Sequence, residues 1–257
     1  MIVSMNRALI FFENSFPWGA KSVTMFFFLV IPFLSAVQID LKKYNEWNIV
    51  QLAANFLPPD PIVVLAGAHQ GDVMVQMAHQ WPQGHIYAFE PNPVFHSALK
   101  QHKQWFSYVD FFSSALDSTT KKAPFFTSSN PKNPRIGSLL VANSNWKWHY
   151  NDATTFTVQC KNLQEWASEK RVTRIDFLWL NIGGSELRVL QSIPELIHSV
   201  QVIFVETHFE EFRQGIGLYK DLLPFLATYG FEEIIHWHIP NYQGYALFAK
   251  QNRQVSR

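Results

Sequence analysis

Short apolar runs alternate with segments of helical periodicity along most of this chain. An apolar run at 62–66 is followed by a turn at 67–72 that contains two glycines. Segment 73–80 then has apolar residues at the spacing of one helix face, and a second apolar run covers 86–89. Runs of four or five β-branched or aromatic residues favour buried strands. The pattern predicts a strand, a glycine turn, a helix and a second strand that ends at Glu90.

The same alternation continues towards the C-terminus. Further predicted strands cover 108–112, 154–160, 175–180, 201–205, 231–238 and 242–250, and the last two form a hairpin around Pro240 and Asn241. Predicted helices cover 38–57, 94–104, 163–170, 186–197 and 218–229. Strands that alternate with helices favour an α/β domain, in which a mainly parallel sheet is covered by helices on both faces.

Residues 23–37 are almost wholly apolar and do not fit this alternation. A run of this length is shorter than the roughly 20 residues that cross a bilayer, and it resembles the apolar part of a signal peptide. A signal peptide, a short membrane anchor and an arm packed on the domain all remain open. We therefore expect a hydrophobic N-terminal segment, 1–37, and an α/β domain, 38–257. A signal peptide would mean export, and the other two mean a cytoplasmic or membrane-tethered protein.

The segment 118–153 is predicted to be irregular. It contains prolines, many small polar residues, and the rings of Trp146, Trp148, His149 and Tyr150. A long irregular segment inside a domain is often a lid or a substrate loop, and aromatic rings suit a partly apolar or sugar-like acceptor. An insertion that packs these rings on the edge of the sheet is equally consistent with the pattern.

Composition narrows the function classes only a little. The chain of 257 residues is 47% hydrophobic, which allows one large domain with an appendage. A net charge of +1 gives no reason to expect a nucleic acid or an anionic membrane as partner. Cys160 is the single cysteine, which excludes an intramolecular disulfide and a multi-cysteine zinc site. We expect Cys160 to be a buried apolar residue.

The glycine turn and Glu90 together suggest a nucleoside site. Glycine at the end of a strand allows a tight turn and lets a ligand approach the main chain. A carboxylate at the tip of the next strand can accept two hydrogen bonds from a ribose diol. The spacing from Gly67 to Gly71 is neither the dinucleotide fingerprint nor a P-loop, so a nucleoside without a diphosphate fits better than NAD or ATP. The alternative is a plain βαβ unit whose glycines serve only the turn.

The motifs at 67–72 (GAHQGD) and 89–93 (FEPNP) resemble those of the S-adenosylmethionine-dependent methyltransferases of the FkbM type. The likeness continues through 175–190 and 202–226 and covers about residues 45–250. It implies a class I methyltransferase, Rossmann-like fold with a doubly wound, mostly parallel seven-stranded sheet whose last strand is antiparallel. It also implies S-adenosylmethionine as cofactor and a hydroxyl of a sugar, lipid or natural product as acceptor.

Strand ends and the resemblance together give the candidate site residues. The candidates for cofactor contact are Gly67, His69, Gly71, Asp72, Glu90, Ser114 and Ala115, the last two beside the adenine as in the family. Asn181, Glu206 and His208 are the candidates on the acceptor side, since methyl transfer needs an aligned acceptor oxygen that has lost its proton. Glu186 either joins them or only opens a helix as an acid in its first turn.

Three positions depart from the family pattern. Leu65 and Asn181 occupy places where the family has acids, and His69 occupies the place of an asparagine. These departures keep open a second hypothesis, a non-catalytic binding module that retains the sheet. Of the two hypotheses, we adopt the one in which the protein is an enzyme.

Two histidine-containing pairs raise the question of a metal. Glu206 and His208, and likewise His236 and His238, are two residues apart, so each pair lies on one face of its strand. Histidine and carboxylate ligands suit zinc or iron, as in a metal-dependent hydrolase. With ten histidines in the chain, chance pairs are common, and the second pair is expected on the far side of the sheet. We therefore predict hydrogen-bonded or solvated histidines and no metal.

Overall fold

The structure is a computed structural model that describes residues 45–127, 137–146, 154–239 and 242–250. The chain divides into two units, 1–38 and 39–257, and all the described residues belong to the second. The predicted hydrophobic N-terminal segment, with its signal-peptide, anchor and arm alternatives, therefore lies outside the described residues. Within the described ranges, no helix has the length and apolar character needed to span a membrane.

The described residues form the following elements. The strands are β1 (Ile62–Ala66), β2 (His85–Phe89), β3 (Val109–Phe112), β4 (Ala115–Leu116), β5 (Lys121–Thr127), β6 (Gly137–Ser138), β7 (Thr154–Lys161), β8 (Phe177–Leu180), β9 (Val202–His208), β10 (Phe231–Ile239) and β11 (Gln243–Lys250). The helices are α1 (Glu46–Ala53), α2 (Asp72–Gln80), α3 (His96–Lys103), α4 (Leu163–Lys170), α5 (Glu186–Gln191) and α6 (Tyr219–Thr228). Short 3₁₀ helices cover Ala54–Phe56, Pro93–Phe95, Ser144–Trp146 and Leu196–His198.

The main sheet has seven strands in the order β10-β11-β9-β8-β1-β2-β3. Strand β1 pairs in parallel with β2 and β8, and β8 pairs in parallel with β9. Strand β11 is antiparallel to both of its neighbours. The prediction of a mostly parallel seven-stranded sheet with an antiparallel last strand is confirmed. The strand order reverses between β1 and β8, which is where open α/β sheets bind ligands.

The core consists of two apolar layers, one on each face of the sheet. Val63 and Leu65 of β1 belong to the layer that contains Met74 of α2, whereas Val64 and Ala66 belong to the layer that contains Trp166 of α4. Successive strand side chains point to opposite faces, so a strand covered on both sides must be apolar at every position. This explains why β1 is a continuous apolar run and why helices lie on both faces.

A second sheet, in the order β4-β7-β5-β6, was not predicted. Strands β5 and β6 fall within 118–153, so the prediction that this whole segment is irregular is wrong. Strand β5 carries two lysines and a proline, which weaken any local strand signal. Its antiparallel pairing with β7 along its whole length overrides that composition. The part of the segment that contains Trp148, His149 and Tyr150 lies outside the described residues.

Strand β9 is longer than predicted. The sequence places its end at 205, with Glu206 beyond the strand, but the structure extends it to His208. The reason is its antiparallel partner β11, whose Tyr245 and Gln243 pair with Glu206 and His208. Glu206 and His208 therefore lie on the same face inside the strand, on a rigid element.

Gly67 places the end of β1 directly against the end of β8. Its φ is +83°, and a Cβ built there would lie 2.0 Å from the main-chain oxygen of Asn181. We expect Gly67→Ala to lower the free energy of unfolding by clearly more than the roughly 1–2 kcal/mol of left-handed strain alone, as measured by urea denaturation. Gly215→Ala is the matched control, because Gly215 has a φ of +73° and no atom within 4 Å of the added Cβ. Equal losses in the two variants would show that the contact with Asn181 is unimportant.

Candidate functional site

A cleft opens at the carboxyl ends of β1, β2 and β8, with about 470 Å³ of empty space that includes space open to solvent. It lies where the strand order reverses, which is where open α/β sheets bind ligands. The predicted site residues that line it are Gly67, His69, Glu90, Ser114, Ala115 and Asn181. Six of the ten candidates, which are up to 114 positions apart in sequence, are therefore brought together at one cavity.

Glu90 joins the glycine turn to the end of β2. One carboxylate oxygen, Oε2, accepts a hydrogen bond from the backbone N–H of His69 at 2.9 Å, and Oε1 accepts one from Asn92 N–H at 2.8 Å. The side chain is only 3% exposed, yet it lines the cleft. Burial raises the pKa of Glu90 to about 7, although the two backbone N–H groups oppose that rise. Since a carboxylate has about four acceptor positions, two remain for a ligand.

His69 does not fill the cleft. Its φ of 49° is left-handed, a conformation in which asparagine, aspartate and histidine are enriched among non-glycine residues. Its ring packs edge-on against Phe95, with 5.8 Å between the ring centroids. The backbone conformation that an asparagine would adopt is thus available to histidine here, and the cleft stays open beside the ring.

Gly71 and Asp72 lie beside the cleft rather than in it. Gly71, with a φ of +99°, precedes the first residue of α2, and a Cβ there would meet the His102 ring at 2.6 Å. Asp72 is exposed and accepts a hydrogen bond from the Gln70 side chain at 2.7 Å. Asp72 lines a smaller neighbouring pocket that also contains Glu46, whereas Gly71 lines neither pocket. Gly71 therefore forms part of the turn, and its contact with the cofactor stays a prediction.

The second sheet provides the apolar wall of the cleft. Ser114 and Ala115 are both buried where β3 passes into β4. Phe125 of β5 and Leu139, just after β6, line the same cavity. Ser114 and Ala115 were predicted from the sequence, but Phe125 and Leu139 were missed because β5 and β6 were not predicted as strands.

A buried polar cluster lies at the end of β9. It consists of Glu186, Glu206 and His208, which are 2%, 9% and 1% exposed. The Nε2 atom of His208 is 3.3 Å from Oε2 of Glu186 and 3.9 Å from Oε2 of Glu206. Glu186 therefore lies with Glu206 and His208, two of the residues predicted on the acceptor side. The sequence signal that indicates this position for Glu186 is that it follows the end of β8 by six residues.

Both glutamates of the cluster are held by the loop that follows β8. Ile182 N–H donates to Oε1 of Glu186 at 2.9 Å, and Gly183 N–H donates to Glu206. The residue before this pair, Asn181, lines the cleft. The loop 181–183 thus connects the cavity to the cluster.

The charges in the cluster are strongly coupled. Burial raises the pKa of Glu206 to about 7, against the attraction of His208. Burial alone would lower the pKa of His208. The negative charges of Glu206 and Glu186 outweigh the effect of burial and raise this pKa. The Nδ1 atom of His208 is buried and has no hydrogen-bond partner among the described residues. Such a cluster can hold a proton near neutral pH.

Leu65 and the second histidine pair lie away from both sites. Leu65 is fully buried in an apolar layer of the core, with Ala88 and Trp179 as its register partners. His236 Nε2 lies 3.0 Å from the hydroxyl of Thr207, whose side chain is on the face of β9 opposite to Glu206 and His208. His236 is therefore hydrogen-bonded, which is one of the two states that we predicted for these histidines.

Comparison with known proteins identifies the family to which this chain belongs. A family model described as the methyltransferase FkbM domain matches residues 66–233. The 2-O-methyltransferase NoeI of Sinorhizobium fredii (strain NBRC 101917 / NGR234) is 22% identical over 184 residues, 68% of this chain and 75% of NoeI. Methyltransferase sdnD of Sordaria araneosa is 26% identical over 164 residues, 54% of this chain and 62% of sdnD. Among solved structures, a fibrillarin/Nop5p complex has a TM-score of 0.47 at 12% identity, covering 80% of this chain and 82% of that chain. The family match begins at the last residue of β1 and reaches β10, so it includes both the cleft and the cluster.

Proposed function

Because the chain belongs to the FkbM family of S-adenosylmethionine-dependent methyltransferases, we propose that it methylates a hydroxyl group of a sugar, lipid or natural-product acceptor. The observation that carries the proposal is the buried cluster of Glu186, Glu206 and His208 at the end of the strands beside the cleft. The name of NoeI, a 2-O-methyltransferase, supports an oxygen acceptor.

The residues of the cleft fit S-adenosylmethionine. Glu90 has two free acceptor positions, which suit the two hydroxyls of a ribose. The apolar wall of Ala115, Phe125 and Leu139 suits a flat base. S-adenosylmethionine supplies an electrophilic methyl group on a sulfonium, and the chain's task is to hold that group facing the acceptor. We assign recognition of the ribose to Glu90 and contacts with the base to Ser114 and Ala115. We expect Gly67 and His69 to contact the cofactor through their backbone.

We assign the acceptor hydroxyl to the ends of β8 and β9. Methyl transfer requires the acceptor oxygen in line with the methyl group and relieved of its proton. The neighbouring carboxylates raise the pKa of His208, which favours its taking up the proton of the acceptor hydroxyl as a general base. Glu186 stabilises the positive charge on His208, and Asn181 faces the cleft between donor and acceptor. The burial of the cluster keeps bulk water away from the reacting oxygen.

Donor binding is expected to depend on pH through Glu90. Ribose hydroxyls donate to the ionised carboxylate, so the proton on Glu90 must leave before the ligand binds. With a pKa of about 7, affinity should be full above that pH and should fall below it, approaching tenfold per pH unit. Calorimetric titration with S-adenosylhomocysteine across this range measures the effect. Glu90→Gln should bind weakly at every pH with no such slope, and a flat wild-type profile would contradict the assignment.

The function itself is tested by product formation. Purified protein incubated with S-adenosylmethionine and a panel of sugars, lipids and hydroxylated natural products should yield an O-methylated product detected by mass spectrometry. Methylation found only on nitrogen or carbon acceptors would contradict the proposal.

A further inference from the structure

We propose that Glu186, Glu206 and His208 bind one divalent transition-metal cation. The inference rests on the proposed function, because this cation would lie where the acceptor hydroxyl is expected. One ligand atom from each of the three residues lies within 4.8 Å of the others. Metal–ligand distances of 2.0–2.2 Å in a tetrahedral site place neighbouring donor atoms about 3.3–3.6 Å apart. His208 Nε2 lies 3.3 Å from Glu186 and 3.9 Å from Glu206, so a bound ion would draw the three ligand atoms closer together.

The three side chains face one another without a short direct contact. A nitrogen-to-oxygen hydrogen bond is normally 2.7–3.2 Å long. His208 Nε2 makes a long hydrogen bond of 3.3 Å to Oε2 of Glu186 and lies 3.9 Å from Oε2 of Glu206. An ion bound among the three side chains would replace these long contacts with metal–ligand bonds.

Backbone groups fix the two carboxylates in this orientation. Ile182 N–H holds Oε1 of Glu186 and leaves Oε2 directed at His208. Gly183 N–H holds Glu206 from the same loop. Carboxylates that bind metals are commonly hydrogen-bonded from behind in this way, which orients them and limits their motion. The support for the ligands is therefore built into the loop after β8.

Burial adds an energetic argument for a cation. Two carboxylates in one nearly inaccessible site are costly unless cations or metals compensate them. Arg213 is a buried cation that acts electrostatically on Glu206 and His208, and its Nη1 also donates to the main-chain oxygen of Leu140 at 2.7 Å. A divalent ion among the three side chains would supply compensation directly at the carboxylate oxygens.

The ligand types indicate which cation. Calcium and magnesium prefer all-oxygen ligands, whereas an imidazole with two carboxylates suits zinc, manganese or iron. Three protein ligands leave a coordination position for an exogenous oxygen. A cation there would lower the pKa of an acceptor hydroxyl bound to it, and it would replace His208 in the general-base role because it would occupy the lone pair of Nε2. This revises the sequence-based expectation of no metal, because Glu186 supplies the third ligand in place of the His236 pair.

Metal binding can be measured without any acceptor. Full-length protein freed of metal by chelation is titrated with Mn²⁺, followed by electron paramagnetic resonance, and with Zn²⁺, followed by calorimetry. We expect one ion per chain. His208→Ala and Glu206→Gln should each weaken binding by at least about 100-fold, since even second-shell losses cost 10–100-fold. His236→Ala, which removes a partly buried histidine outside the cluster, should bind as the wild type does.

Binding of S-adenosylhomocysteine serves as the folding control for each variant, and Glu186→Gln, which preserves shape, replaces any variant that fails it. If wild-type protein takes up no stoichiometric Mn²⁺ or Zn²⁺, or if binding survives in both His208→Ala and Glu206→Gln, the metal inference is wrong. O-methylation by metal-free protein would overturn the metal inference and leave the proposed function standing. A bound ion without any hydroxyl methylation would instead count against the proposed function.

Discussion

Replacing Glu90 with alanine should weaken the binding of S-adenosylmethionine by about 100-fold or more. Glu90 is the buried carboxylate at the tip of β2, and its two remaining acceptor positions are assigned to the ribose hydroxyls. A hydrogen bond to a charged group contributes about 1.5–3 kcal/mol, so the loss of two removes about 3 kcal/mol or more of binding energy. Calorimetry above the pKa of Glu90 measures the change.

The Glu90 variants need controls for folding, because this side chain also accepts the N–H groups of His69 and Asn92. Alanine leaves both donors without their partner, at about 1–3 kcal/mol each if they stay buried. Glu90→Gln keeps the shape and one acceptor oxygen, and therefore isolates the effect of charge. Glu169→Ala removes a half-exposed carboxylate on α4 that pairs with Lys161, and donor affinity should not change. Wild-type affinity in a folded Glu90→Ala variant would show that ribose is bound elsewhere.

Replacing His208 with alanine should lower kcat by about 10²–10⁴-fold, the usual contribution of a general base. Affinity for S-adenosylmethionine should stay close to the wild-type value, because the donor residues line the cleft at β1, β2 and β4 and the cluster lies at the end of β9. Single-turnover kinetics with an unmethylated acceptor that the product assay has identified, combined with calorimetry of donor binding, separates the two effects.

His236→Ala is the matched variant for His208. His236 is partly buried and hydrogen-bonded to Thr207 on the opposite face of β9, so its removal should leave kcat within a few-fold of wild type. An active His208→Ala variant, or one that loses donor binding and transfer together while remaining folded, would remove His208 from the reaction.

The donor side of the site could be predicted from sequence because its determinants are local. Strand β1, the glycine turn, α2 and β2 follow one another within about thirty residues, and each has its own periodicity. Glu90, the acid that we assign to the ribose, stands directly after β2 and before two prolines, so it could be placed at the strand tip from pattern alone. The family motifs then identified the ligand.

The acceptor side could be predicted only in part because its geometry depends on distant pairings. Glu206 and His208 lie within β9 because β11 pairs with them from about forty residues away. The apolar wall around Phe125 exists because β5 pairs with β7 across a long connection. Glu186 joins the cluster through the turn after β8, which periodicity does not describe. None of these contacts leaves a local signal in the sequence.

The departures from the family pattern have a physical account in the structure. Leu65 points into an apolar layer of the core, where a carboxylate would be buried without a partner. The turn after β1 is held instead by Glu90 through the N–H of His69. The main chain of Asn181 packs against Gly67. The ends of β1 and β8 therefore stay in contact although position 181 has no acid.

The most direct test of this account is a crystal structure of the protein with S-adenosylhomocysteine. We expect the ribose hydroxyls within hydrogen-bond distance of Glu90, the base between Ala115 and Phe125, and the sulfur facing Asn181 on the side of Glu206 and His208. A nucleoside bound elsewhere, or a sulfur directed away from the end of β9, would contradict it.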